Sequence, residues 1–112
     1  MGNETVILRR WRSRIRTVER AEYAAYVAGT GASDYGKTPG NLGFQMLMRD
    51  LPDGSTEITT LSWWRSMDAV RAFAGRDPER ARYYPEDDRF LLEKPDHVEH
   101  HSVIAGDLAL RQ

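Results

Sequence analysis

The stretch Ser62-Trp63-Trp64-Arg65-Ser66-Met67-Asp68-Ala69-Val70-Arg71-Ala72-Phe73 reads as a buried strand that runs straight into a capped helix. Ser66 is placed to accept a hydrogen bond from an orphan amide of the first turn, and Asp68 lies where the helix dipole favours negative charge. Ala69, Val70, Phe73 and Ala74 form the apolar stripe of a helix over residues 67–74. On the N-terminal side, residues 56–64 are rich in β-branched and aromatic side chains. After a turn at Pro52-Asp53-Gly54-Ser55, they pair with residues 42–49 as a hairpin, in which Phe44, Met46 and Met48 alternate with Gly43, Gln45 and Leu47. Strand alternation sends Trp63 and Trp64 to opposite faces.

Outward from this hairpin and helix, residues 5–11 contain Val6, Ile7, Leu8 and Trp11, a first strand with apolar groups on both faces. Thr17 is a candidate cap for a helix over residues 18–27, where Tyr23 and Tyr26 recur at helical spacing. Residues 29–41 are rich in Gly, Ser, Thr, Asp and Pro and read as a loop. Asp77-Pro78-Glu79 offers a cap, a proline at the first helical position and an adjacent acid, which predicts a short third helix to about Tyr83, ended by Pro85. Glu86-Asp87-Asp88 reads as solvated loop, and residues 98–104 as the last strand. The order β-α-β-β-α-α-β predicts an α+β class chain with a ferredoxin-like split βαβ sheet, one domain over residues 1–112. Helices cover one face of such a sheet. Apolar residues on both faces of the first three strands predict a homodimer paired through the sheet face.

Composition narrows the function. The chain has 112 residues, 40% hydrophobic and 29% charged, with a formal net charge of -1, so no overall field draws it to nucleic acid or an anionic membrane. Arg9, Arg10, Arg12, Arg14 and Arg16 cluster locally and read mainly as a solvated strand end and helix entry, with anion or substrate binding as the alternative. The absence of cysteine excludes disulfides, thiolate ligands and a cysteine nucleophile. No stretch approaches the roughly 20 apolar residues of a membrane span and no signal core is seen, so no membrane association and a cytoplasmic location are expected. Phosphate-binding glycine loops, dinucleotide fingerprints, GxSxG and HExxH are absent. His97, His100 and His101 are the three histidines. His97 and His101 would share a strand face about 13 Å apart, too far to ligate one metal, so no metal site is expected.

Pro39-Gly40-Asn41-Leu42-Gly43, then Trp64-Arg65-Ser66 with Ala69, Ala72 and Phe73, then Val98-Glu99-His100-His101-Ser102-Val103 resemble the antibiotic biosynthesis monooxygenase family of dimeric α/β barrels. The resemblance spans about residues 5–105. It implies a pocket between sheet and helices in each protomer, a small aromatic or hydrophobic ligand, and a monooxygenase working without a cofactor on an aromatic or enolisable molecule. Such chemistry needs a base to deprotonate the substrate and a group to stabilise the anion that then reduces dioxygen. His100 is the candidate base, Trp64 a pocket wall, and Arg65 a candidate for stabilising the oxyanion, as are Arg9 and Arg10. Tyr23, Tyr26, Tyr83 and Arg9 are the candidate substrate-binding residues, with Tyr35 and Tyr84 beside them. Ordinary core packing is the competing reading for each aromatic residue. The haem-degrading branch of that superfamily implies an asparagine on strand one and a histidine on the second helical segment. This chain has Arg9 and Arg10 on strand one and no histidine between residues 67 and 84. A dimeric domain that binds a hydrophobic ligand without catalysis, and a haem-binding relative using another ligand, are the alternatives.

Overall fold

The computed structural model describes residues 5–30 and 35–107. Its elements are β1 (Ile7–Arg16), a 3-10 turn (Thr17–Glu19), α1 (Arg20–Ala28), β2 (Asn41–Asp50), β3 (Ser55–Trp64), α2 (Met67–Ala74), α3 (Asp87–Phe90) and β4 (Glu99–Ser102). The strands form one sheet in the order β2-β3-β1-β4, and every neighbouring pair is antiparallel. This is the ferredoxin-like α+β arrangement.

Register explains which side chains are buried. β1 and β3 pair along their whole length, from Ile7 opposite Trp64 to Arg16 opposite Ser55. The row Ile7, Arg9, Trp11, Ser13, Ile15 therefore lies beside Trp64, Ser62, Thr60, Ile58, Thr56 on the face covered by the helices. Phe44, Met46 and Met48 of β2 and His100 of β4 extend the same face. The opposite face carries Leu8, Arg10, Arg12, Arg14, Gln45, Leu47, Glu57, Leu61, Trp63 and His101. Trp63 and Leu61 are half-buried there, while Leu47 is exposed.

Two apolar clusters hold the helices down. Ile7, Trp64, Ala69 and Val70 form one, with Phe73 and Tyr35 packed against it. Ile15, Tyr23, Ile58 and Phe90 form the other, joined by Trp11, Tyr26 and Met48. The junction quoted above closes as its residues predict: the Ala69 amide donates to Ser66 Oγ at 3.2 Å, and Arg71 pairs with Asp68 at 2.8 Å. Gly40 enters this corner with φ +88°, and a Cβ there would lie 2.5 Å from Ala69 Cβ. Its carbonyl accepts the Arg65 amide at 2.9 Å, so a side chain would part α2 from the β2 entry.

Four local expectations are corrected. The third helix does not form over residues 78–83. The backbone there is drawn to the sheet edge instead: Arg80 bridges His97, the Ala81 amide donates to Asp96 O, and the Val98 amide to Glu79 O. The short helix forms later, at Asp87–Phe90, where a solvated loop was expected, because Asp87 and Phe90 are buried. Thr17 does not cap α1, since its hydroxyl lies 2.8 Å from Thr56 Oγ1 across the sheet end. β1 runs on to Arg16, so Arg12 and Arg14 are strand residues, each paired with an acid, Glu57 at 3.7 Å and Glu93 at 2.7 Å. Of the loop expected over residues 29–41, residues 31–34 lie outside the described residues. None of the described helices is long and apolar enough to cross a membrane.

Candidate functional site

The helix-facing rows of β1 and β3 carry buried polar groups among their apolar residues. Arg9, Ser13, Thr60 and Ser62 are each no more than 5% exposed. A cavity of about 80 Å³ lies over Arg9 and Thr60, between the two apolar clusters. Arg9, Trp11, Thr60 and Met46 form its sheet side, and Tyr23, Tyr26, Phe73, Tyr35, Tyr83 and Asp87 come from the helices and connections.

Arg9 is the unusual group. Its Nη1 donates to Pro78 O at 2.6 Å and to His100 Nε2 at 3.1 Å, and its Nη2 donates to Arg80 O at 3.2 Å. Among the described residues no carboxylate pairs with it. Burial is the main cause that pulls its pKa below the ordinary arginine value, and the nearby Tyr35 acts in the opposite direction. Guanidinium groups stay protonated in proteins. The cavity therefore has a buried positive charge held by two carbonyl dipoles and an imidazole, with the charge of Glu79 also acting on it, and it is a counter-charge for an anion.

Asp87 supplies the opposite polarity. Tyr26 Oη donates to its Oδ1 at 2.7 Å and the Tyr84 amide to its Oδ2 at 2.7 Å, which leaves one acceptor position on each oxygen. Burial first, and then the hydrogen bond to this carboxylate, raises the Tyr26 pKa well above the ordinary tyrosine value, so the phenol stays a donor. Trp11 Nε1 donates to Tyr83 Oη at 2.9 Å, and Tyr83 Oη to Pro95 O at 2.5 Å, which fixes two further rings of the wall. Exposed Arg82 lies over the Phe73 ring, 4.5 Å from its centroid.

The candidates named from sequence separate into two groups. Tyr23, Tyr26, Tyr83 and Arg9 come together around the cavity, with Tyr35 and Tyr84. Trp64, His100 and Arg65 do not line it. Trp64 is fully buried in the α2 cluster and donates to Ser62 Oγ at 2.9 Å. Arg65 is exposed at the turn into α2. His100 faces the helix layer, and His101 the other face, but His100 sits behind Arg9 with its Nε2 lone pair already engaged. Its Nδ1 then carries the proton and donates to Glu79 Oε2 at 3.2 Å. Asp87, Trp11 and Arg82 were missed as site residues. An arginine between Ile7 and Trp11 on one strand face was the available signal for a buried charge; Asp87 had none, because its burial comes from distant elements.

Burial, with the Arg9 charge next, lowers the pKa of His100 below 6.5, while Glu79 acts the other way. The unfolded chain then binds the proton at a higher pH than the folded one, so this contribution to stability is present above about pH 6.5 and is lost as pH falls through the folded pKa. Tm is expected to fall between pH 7 and pH 5, and His100→Gln, which keeps an acceptor for Arg9, to flatten that dependence. Equal slopes in both proteins would show that His100 is not the group responsible.

No histidine is among the described residues that line the cavity, so the histidine ligation that the haem-degrading branch implies is not offered there. No family model matches the sequence, and no curated protein matches it. Solved structures do. A protein from Caulobacter crescentus provisionally named an antibiotic biosynthesis monooxygenase aligns with TM-score 0.62 at 17% identity, over 91% of this chain and 92% of its own. A cofactor-independent oxygenase from Streptomyces nogalater aligns with TM-score 0.51 at 14% identity, over 95% and 97%. A haem-degrading protein from Mycobacterium tuberculosis aligns with TM-score 0.61 at 16% identity, over 94% and 98%. The chain thus has the fold of the proteins named antibiotic biosynthesis monooxygenases, as its motifs suggested.

Proposed function

We propose that this chain is a cofactor-independent monooxygenase acting on a small aromatic or enolisable molecule bound in the cavity, and that it works as a homodimer paired through the open sheet face. The observation that supports the reading is the composition of one aromatic-walled space, in which a buried arginine with no carboxylate paired to it among the described residues and a buried carboxylate are both presented. Asp87 takes the proton from a methylene carbon conjugated with the substrate carbonyl. The bonding pair left behind becomes an enolate, whose oxygen is stabilised by Arg9. The enolate is the reductant for dioxygen. A CH₂ group plus O₂ yields a carbonyl plus water, with one oxygen atom in each product, so no external reductant is needed. His100 serves by holding Arg9. Leu8, Leu61 and Trp63 on the uncovered face support the dimer, and the mass of the native protein in solution checks it.

The test is oxygen uptake by the purified protein with a panel of one- to three-ring ketones that carry a conjugated methylene group, anthrones among them. Uptake above the protein-free rate, with one carbonyl formed per O₂, is expected for at least one compound. Asp87→Asn should lower that rate about 100-fold or more, the usual scale of general-base catalysis. Uptake no faster than without protein across the panel, with binding retained, would move the chain to a ligand-binding domain without catalysis.

A further inference from the structure

At about 80 Å³, the cavity is roughly half the size of a dry cavity known to hold one benzene ring, about 150 Å³. A flat ligand therefore needs room that one of the wall residues now takes. Tyr35 is that residue. Its ring lies between Phe44 of β2 and Phe73 of α2, with centroids 5.3 Å away on both sides and interplanar angles of 29° and 28°. Trp64 closes the end of the slot, edge-on at 6.2 Å. The three enclosing rings stand on the sheet and α2, whereas Tyr35 comes from the connection between α1 and β2. Two guanidinium groups border the same slot, with Arg9 and Arg82 at 5.7 and 4.5 Å from the Phe73 centroid.

We propose that the slot between Phe44 and Phe73 is the ring-binding subsite for a planar phenol, and that the Tyr35 side chain fills it when no ligand is bound. The slot suits a phenol because it already holds one, stacked against two rings and beside two cations. A ligand phenol entering the slot meets the edge of Trp64, which makes that core residue a wall of the site. Because Tyr35 must leave first, the affinity of the native chain is reduced by the fraction of molecules in which the slot is empty. The proposal rests on reading the cavity as a small-molecule site, but not on oxygenation.

The probe is 2-naphthol, planar, phenolic and fluorescent, titrated into native protein and Tyr35→Ala, with non-planar 2-decalol as control. Tyr35→Ala is expected to bind 2-naphthol at least tenfold more tightly than the native chain, with no comparable gain for the decalol. A folded Tyr35→Ala that binds 2-naphthol no more tightly, or gains equally for both compounds, overturns the subsite. A measurement on the native chain stands independently of whether the variant folds. Saturating 2-naphthol is expected to abolish the NMR cross-relaxation between the Tyr35 and Phe44 rings, and its persistence in the bound state overturns the displacement. Tight 2-naphthol binding by Tyr35→Ala, together with no oxygen uptake by the native protein across the panel above, would leave this subsite standing and remove the oxygenase reading.

Discussion

Trp64→Ala is expected to cost about 3–5 kcal/mol of folding stability, the usual price of deleting a fully buried tryptophan. The side chain has no exposed surface, packs 4.9 Å from the Phe73 ring, and shares a cluster with Ile7, Ala69 and Val70. Against a typical total of about 5–15 kcal/mol, that loss leaves a domain close to its unfolding threshold. Trp64→Phe keeps most of the apolar volume but strands the Ser62 hydroxyl, for which about 1–2 kcal/mol is expected. Urea unfolding of the three proteins separates the two contributions. A cost below about 1 kcal/mol for Trp64→Ala would mean that the indole is not a core member. Activity lost in Trp64→Ala therefore reports folding; a role at the site has to be sought in Trp64→Phe.

The largest effect on binding is expected from Arg9→Gln. A hydrogen bond to an ionised group is worth about 1.5–3 kcal/mol, which corresponds to roughly 10- to 150-fold in affinity. The predicted result is a loss of that size for 1-hydroxy-2-naphthoate, an anionic probe, and a change of less than about threefold for neutral 1-naphthol, read by fluorescence titration. Glutamine can still donate to Pro78 O or Arg80 O, so the connection before α3 keeps part of its anchor. Equal losses for both probes would mean that Arg9 shapes the cavity without acting through its charge. This contrast is steeper at low salt for exposed charges, but Arg9 is 5% exposed and little screened, so the difference should persist at physiological ionic strength.

The sheet and its helices were legible because their signals are local. Phe44, Met46 and Met48 alternate with Gly43, Gln45 and Leu47, and this alternation alone assigns the two faces of β2. Ser66, Asp68 and the Ala69-Val70-Phe73 stripe define α2 with its observed bounds. The third helix was misplaced for the opposite reason. Asp77-Pro78-Glu79 is a sound helix start by itself, but the Arg9 guanidinium takes the Pro78 and Arg80 carbonyls from a strand 69 and 71 residues away. Tertiary hydrogen bonds to a charged donor outweigh the modest gain of a capped turn.

The sequence by itself determined the element order, the split sheet, and which side chains share a strand face, since a period of two or 3.6 residues needs no knowledge of distant contacts. It also brought Arg9, Tyr23, Tyr26 and Tyr83 forward as candidates. Only the tertiary structure decided which polar groups are buried. Asp87 stands in an acidic run that resembles solvent-facing loop, and it is held in the cavity wall because Tyr26, 61 residues earlier, reaches its carboxylate. His100 lost its free nitrogen to Arg9 across 91 residues of chain, and Trp64 is fully buried against α2 and Tyr35. Burial of a charge depends on partners that the fold brings from far along the chain, and no local pattern records them.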